Sequence, residues 1–199
     1  VAVIFIGIAG ALSKMLVIKG GTIDTTGTMM MIISLSLGAI VGEMLDLDGK
    51  MIHFGEWLKI KTGNAKDKKF VDGFVTASLT VCIGAMAVVG SIEDGIHADH
   101  SILFAKAILD FVIILVMSAT LGKGCLFSFV PVGLFQGTIT LLASLISPFI
   151  TASAMSALSY IGSILIFCVG VNLVFNTKIR VANLLPALIV ACICTVFPL

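Results

Sequence analysis

Ser101 to Thr120 reads SILFAKAILDFVIILVMSAT, a run whose only charged residues are Lys106 and Asp110. A helix needs about 20 apolar residues to cross the hydrocarbon of a bilayer, and this stretch has that length. An ion at membrane depth costs at least about 2.5–3.5 kcal/mol, so such residues face a bundle interior or a wet cavity. Four positions apart, the two side chains share one helical face and lie within reach of each other. A chain organised around such a stretch folds in lipid.

Composition agrees. Of 199 residues, 59% are hydrophobic and only 12% charged. One water-soluble core could not hide that much apolar surface, because surface-to-volume scaling limits what a domain of this size buries. A net charge of +1 points to no nucleic-acid partner. Cys82, Cys125, Cys168, Cys192 and Cys194 lie in or beside apolar runs and read as small hydrophobic packing residues, not as a disulfide framework or metal site. The sequence carries no motif for a cofactor.

Apolar runs of spanning length place about seven transmembrane helices: Val1–Ile18, Met29–Leu45, Asp72–Ser91, Ile102–Leu121, Leu126–Ile146, Ala157–Phe175 and Val181–Leu199. The chain begins inside the first of these runs, which reads as a lost start. Short connections around Lys123, Pro148 and Lys178–Arg180 imply antiparallel neighbours. The expected fold is therefore a single all-α integral membrane domain over 1–199, a compact antiparallel bundle. Its fifth helix is expected to be broken, since Pro131, Gly133 and Gly137 fall within seven residues of FSFVPVGLFQGTIT.

Residues 46–71 form the long polar connection. They hold Lys50, Lys59, Lys61, Lys66, Lys68 and Lys69, and turns on the same side add Lys123, Lys178 and Arg180. The opposite side has Lys14 and Lys19. By the positive-inside bias, loop 46–71 is cytoplasmic. Within it, Met51, Phe54, Trp57 and Leu58 recur at helical spacing, as in a short helix lying in the membrane interface. On the other side, His97 and His100 stand near Glu93, Asp94 and Asp99. These are metal-ligand types in an irregular order, and an ordinary acidic outer loop is the preferred reading.

Two Gly-x-x-x-Gly pairs, Gly38 with Gly42 and Gly133 with Gly137, let helix backbones approach closely, either within the chain or between copies in a homo-oligomer. Counting inward at 1.5 Å per residue puts Asp110 ~12 Å and Gln136 ~16 Å from the membrane surface, near the middle of a core ~30 Å thick. Lys106, Asp110, Gln136, Thr76, Ser78 and Asn172 are the candidate substrate-binding residues. The competing reading is structural: Lys106 and Asp110 neutralise each other, while Gln136 and Asn172 act as interhelical hydrogen-bonding glue worth about 0.6 kcal/mol each.

The blocks SLGAIVGEMLDLDGK (36–50), VDGFVTASLTVCIGAMAVVGSIEDG (71–95), AKAILD (105–110), GLFQGTITLLA (133–143) and VANLLPAL (181–188) resemble an uncharacterised prokaryotic membrane family. It is known as domain of unknown function 554, the YqgA/YdfK type. The resemblance implies an inner-membrane location, and a further Gly-rich span ahead of Val1. Phe135 stands where that family usually has Tyr, and Phe111 where it often has Gly. The resemblance supplies no chemistry.

Three functions compete on these residues. The first is a permease or secondary transporter whose small solute or ion meets Lys106, Asp110 and Gln136 at mid-membrane. The second is a non-transporting scaffold that uses its glycine faces and basic loop. An intramembrane enzyme ranks third, because no Ser/His or paired-Asp arrangement falls at matched depth and all three His lie outside the spans.

Overall fold

The computed structural model describes every residue except Gly20, Gly84, Ile150, Asn176 and residues 197–199. The chain forms two compact units, one from Val1–Leu47 with Phe149–Leu199 and the other from Asp48–Pro148.

In the first unit, helix α1 (Ala2–Met15) leads into an antiparallel hairpin of β1 (Leu16–Lys19) and β2 (Thr22–Thr25), followed by α2 (Thr28–Leu45). The hairpin registers Leu16 with Thr25 and Ile18 with Ile23. After the second unit the chain returns as the long helix α9 (Ala152–Phe175), a 3-10 turn (Val181–Leu184) and α10 (Pro186–Val196). Proline at the first position of α10 fits, because its missing N–H would have had no partner within the helix. Helices α1 and α9 touch through small residues. A Cβ on Gly7 would lie 2.6 Å from the Phe167 backbone nitrogen, and one on Gly170 would lie 2.7 Å from Ile4 Cγ1. Helix α2 presses Gly38 and Gly42 against residues 183–187 in the same way.

The second unit contains α3 (Leu47–Lys61), α4 (Phe70–Cys82), α5 (Ala85–His97), α6 (Ser101–Leu121), a 3-10 segment (Lys123–Ser128), α7 (Phe129–Leu141) and the short α8 (Ala143–Ile146). Its core is aromatic at one end. Leu58, Phe70 and Phe74 are buried among Phe54, Val71, Val75 and Phe127, and the rings of Phe54 and Phe74 meet edge to face at 5.8 Å. This cluster docks α3 onto α4, with Gly55 against the Phe74 ring. Trp57 stacks on Phe54 and stays 55% exposed, leaving an apolar outer face on a helix flanked by lysines.

Among the described residues, four helices are long and apolar enough to cross a membrane: Thr28–Leu45, Ser101–Leu121, Lys123–Leu141 and Ala152–Phe175. The number rises to five if the bent pair α4 and α5 counts as one span. This corrects the expected seven. The first apolar run does not stay helical, because Leu16 turns extended (φ −91, ψ 130) and begins the hairpin. Helix α1, of 14 residues, rises only ~21 Å. In the last run four residues form the 3-10 turn and α10 is described over 11, or ~17 Å, while residues 197–199 of the expected span lie outside the described residues.

The expected fifth helix, Leu126–Ile146, is divided, but not at its proline and glycines: a 3-10 segment precedes α7, and Leu142 separates α7 from α8. Helix α7 continues through Pro131, Gly133 and Gly137. Pro131 is its third residue, where the missing N–H falls in the first turn. The sharp bend is between α4 and α5, 63° over a break after Cys82.

The exposed side chains of α6 explain the solvent this fold requires. Phe104, Ile108, Phe111 and Leu115, one helical stripe, are 57–68% exposed. In water that stripe would be an apolar patch of the kind that drives aggregation. In lipid it meets like chemistry, while the helix satisfies its own backbone groups.

Candidate functional site

Lys106 and Asp110 stand on successive turns of α6, and the Lys106 ammonium forms an ion pair with the Asp110 carboxylate. Lys106 is only 6% exposed. Its Nζ also donates a hydrogen bond of 2.9 Å to the backbone carbonyl of Val81. Val81 lies in the last turn of α4, where carbonyls lack helical N–H donors and the helix dipole carries partial negative charge. The chain leaves the helix at Ile83, which is extended (φ −81, ψ 107). The lysine thus acts as a C-terminal cap for a helix that stops inside the apolar run.

The local sequence helps to make that stop. The Ser78 hydroxyl donates to the Phe74 carbonyl at 2.6 Å and the Thr80 hydroxyl to the Thr76 carbonyl at 2.8 Å. Back-bonding of this kind bends helices and loosens the ladder.

Beside the ion pair lies a cavity of about 350 Å³ lined by Val81, Leu103, Lys106, Ala107, Asp110, Phe111, Ile114, Leu126, Ser128, Phe129, Val132 and Gln136. All of these belong to the second unit. Its wall is mainly apolar, with Lys106, Asp110, Ser128 and Gln136 as the polar side chains. The Asp110 side chain is 22% exposed, so the carboxylate meets both the ammonium and the cavity. The charges of Lys106 and Asp110 cancel. The space is therefore mainly apolar with a neutral polar patch, which can hydrogen bond a small polar group.

Of the six residues expected to bind substrate, Lys106, Asp110 and Gln136 come together here. Thr76 and Ser78 do not line this cavity, and the Ser78 hydroxyl, fully buried, bonds its own helix. Asn172 belongs to the other unit and organises the turn after α9. Its Nδ2 donates to the Ile179 carbonyl at 2.8 Å, and its Oδ1 accepts from the Thr177 hydroxyl and the Ile179 N–H. The Val81 carbonyl and Ser128 were not foreseen.

The chain holds two other polar clusters. In the first unit, Lys14, Thr26, Gly27, Met30, Ser153, Ser156, Ala157, Tyr160 and Thr195 line a cavity of about 260 Å³. At the end of α5 and in the turn after it, His97 pairs with Glu93 at 2.8 Å and His100 pairs with Asp94. Among the described residues no three His, Cys, Asp or Glu side chains converge as a metal site would require. Asp99 begins the turn into α6. The hydroxyl and backbone N–H of Ser101 donate to its carboxylate and hold its pKa below the usual value.

Apolar helices with lipid-suited surfaces and a charge pair held beside a mainly apolar cavity define an all-α protein of the membrane class. The chain belongs to the family described as "Protein of unknown function (DUF554)", which matches residues 1–196. It is 27% identical over 168 residues to the "Uncharacterized membrane protein YdfK" of Bacillus subtilis (strain 168), covering 84% of this chain and 70% of that one. It is 28% identical over 165 residues to the "Uncharacterized protein YqgA" of Escherichia coli (strain K12), covering 81% and 70%. No solved structure matches the chain.

Proposed function

We propose that this protein is a small-solute or ion permease of the bacterial inner membrane, crossing it several times, with the Lys106–Asp110–Gln136 cavity as its binding site. The observation that carries this reading is the buried ion pair capping a helix that stops inside an apolar run. Irregular backbone at membrane depth is tolerated where it lines a cavity or is buried in protein. Transporters commonly place substrate and ion sites at such half-helix ends.

Uptake into proteoliposomes tests it, with radiolabelled alkali ions, amino acids, amines and short carboxylates as the panel. Wild-type protein is expected to move at least one of them above empty vesicles, and Asp110→Asn with Gln136→Ala to lower that flux at least tenfold. Equal flux in all variants, or none for any solute, removes the permease reading. The lysine-rich loop 46–71 then sits in the cytoplasm by the positive-inside bias. A cysteine placed at Lys66 and labelled from outside intact cells would contradict that orientation.

One observation favours the scaffold reading. A Cβ added at Gly133 or Gly137 would meet no atom within 4 Å, so this small-residue face of α7 stands open to another helix. Flux that is absent while α7-dependent complexes persist in cells would decide for it.

A further inference from the structure

Lys106 is held by two oxygen acceptors that have no need of each other. One is the Val81 carbonyl at the end of α4 and the other is the Asp110 carboxylate. A carbonyl at the partially negative end of a helix, next to a carboxylate at a position where Lys106 is only 6% exposed, is what attracts a small cation. We propose that these two oxygens form a monovalent-cation seat, that the protein fills it with its own Lys106 ammonium, and that the seat accepts a free primary ammonium ion once Lys106 is truncated.

The choice of ligand follows from the geometry. The Nζ–O distance to Val81 is 2.9 Å, that of an N–H donor to a carbonyl. An ammonium presents several such donors at once. The neighbouring wall is apolar, with Leu103, Phe111 and Ile114, and suits a short alkyl stem. A hard metal cation prefers a fuller shell of oxygens than these two groups and the Ser128 and Gln136 side chains supply. In the wild-type protein the seat is occupied, so the break between α4 and α5 is capped without any ion taken from solution. The inference concerns binding in this cavity and does not rest on transport.

Truncation to alanine removes three methylenes and the ammonium, the equivalent of one propylammonium ion. The test is thermal unfolding in nanodiscs of wild type, Lys106→Ala and Lys106→Ala/Asp110→Asn. Each is measured in propylammonium, sodium, potassium or choline chloride at one ionic strength. Lys106→Ala is expected to melt below wild type and to regain most of the difference in propylammonium but not in choline, whose quaternary nitrogen has no N–H. Wild type and the double variant are expected to respond to none of the salts.

If Lys106→Ala melts identically in propylammonium and choline, or the double variant responds as strongly, the proposal is wrong. If sodium or potassium rescues and propylammonium does not, the assignment to an ammonium ion is overturned. Spectra of wild-type protein labelled at lysine Nζ give a reading independent of that variant. They are expected to show one ammonium in slow exchange, lost in Asp110→Asn, and its absence from wild type would sink the idea. Because these readouts are of binding, they can fail while uptake succeeds, or the reverse.

Discussion

Gly42→Ala is expected to prevent stable folding, whereas Gly137→Ala, the matching change in the other Gly-x-x-x-Gly pair, is expected to be tolerated. The added Cβ at position 42 would lie 1.8 Å from the carbonyl oxygen of Asn183, well inside contact distance. That oxygen is backbone, so no side-chain rotation relieves the clash, and α2 would have to back away from the 181–184 turn. Helix association in lipid depends on close packing because no hydrophobic drive brings helices together. Separating this pair forfeits the dispersion contacts along the whole crossing. Overpacking ordinarily costs 1–3 kcal/mol, and a rigid backbone contact puts Gly42→Ala at about 3 kcal/mol or beyond. At Gly137 nothing lies within 4 Å of the new methyl. There, replacing glycine in a helix interior should contribute roughly 0.5–1 kcal/mol of stability. Thermal or denaturant unfolding in detergent checks both. Equal behaviour of the two variants would mean that α2 and the 181–187 segment do not approach as described. Gly124→Ala belongs with Gly42, since its Cβ would lie 1.9 Å from the Phe70 carbonyl oxygen.

The two glycine pairs look alike in the sequence and differ in the structure, which shows where sequence reading stops. Local features were legible. The run from Ile102 to Leu121 emerged as α6, Ser101–Leu121, because no glycine or proline interrupts its apolar length. The meeting of Lys106 and Asp110 followed from the helical repeat. Gln136 joined them because depth counted along neighbouring spans is a fair guide to proximity.

What failed depended on tertiary partners or on backbone choices that apolarity does not report. Leu16–Ile18 is as apolar as a helix end, yet it pairs with Ile23–Thr25 as a strand. Pro131 signals a broken helix only in mid-helix, and its place in the first turn was set by where the 3-10 segment ended. The sequence marks Ser78 and Asn172 as substrate-binding candidates, Asn172 alternatively as interhelical glue, and so as groups with a partner outside their own segment. Each instead found one in its own helix or in the adjoining turn. The Val81 carbonyl could not be anticipated, because every residue has one and only a break exposes it.

Asp110→Leu alone is expected to destabilise the protein by about 3 kcal/mol, and most of that loss should return when Lys106→Met is added. A buried pair gains little over an apolar pair of similar volume, but deleting one member strands the other charge, at a cost of about 3–5 kcal/mol. Lys106 is 6% exposed and would keep only the Val81 carbonyl. The lower end of that range applies because the Asp110 side chain is 22% exposed, so cavity water can reach the orphaned ammonium. A double-mutant cycle on unfolding free energies separates the pair from its parts. If Asp110→Leu costs under about 1 kcal/mol, the pair behaves like an exposed salt bridge, and the ammonium must then reach bulk water without Asp110. In that case the cavity is an open vestibule and not an enclosed site, and both the permease reading and the cation seat lose their physical basis.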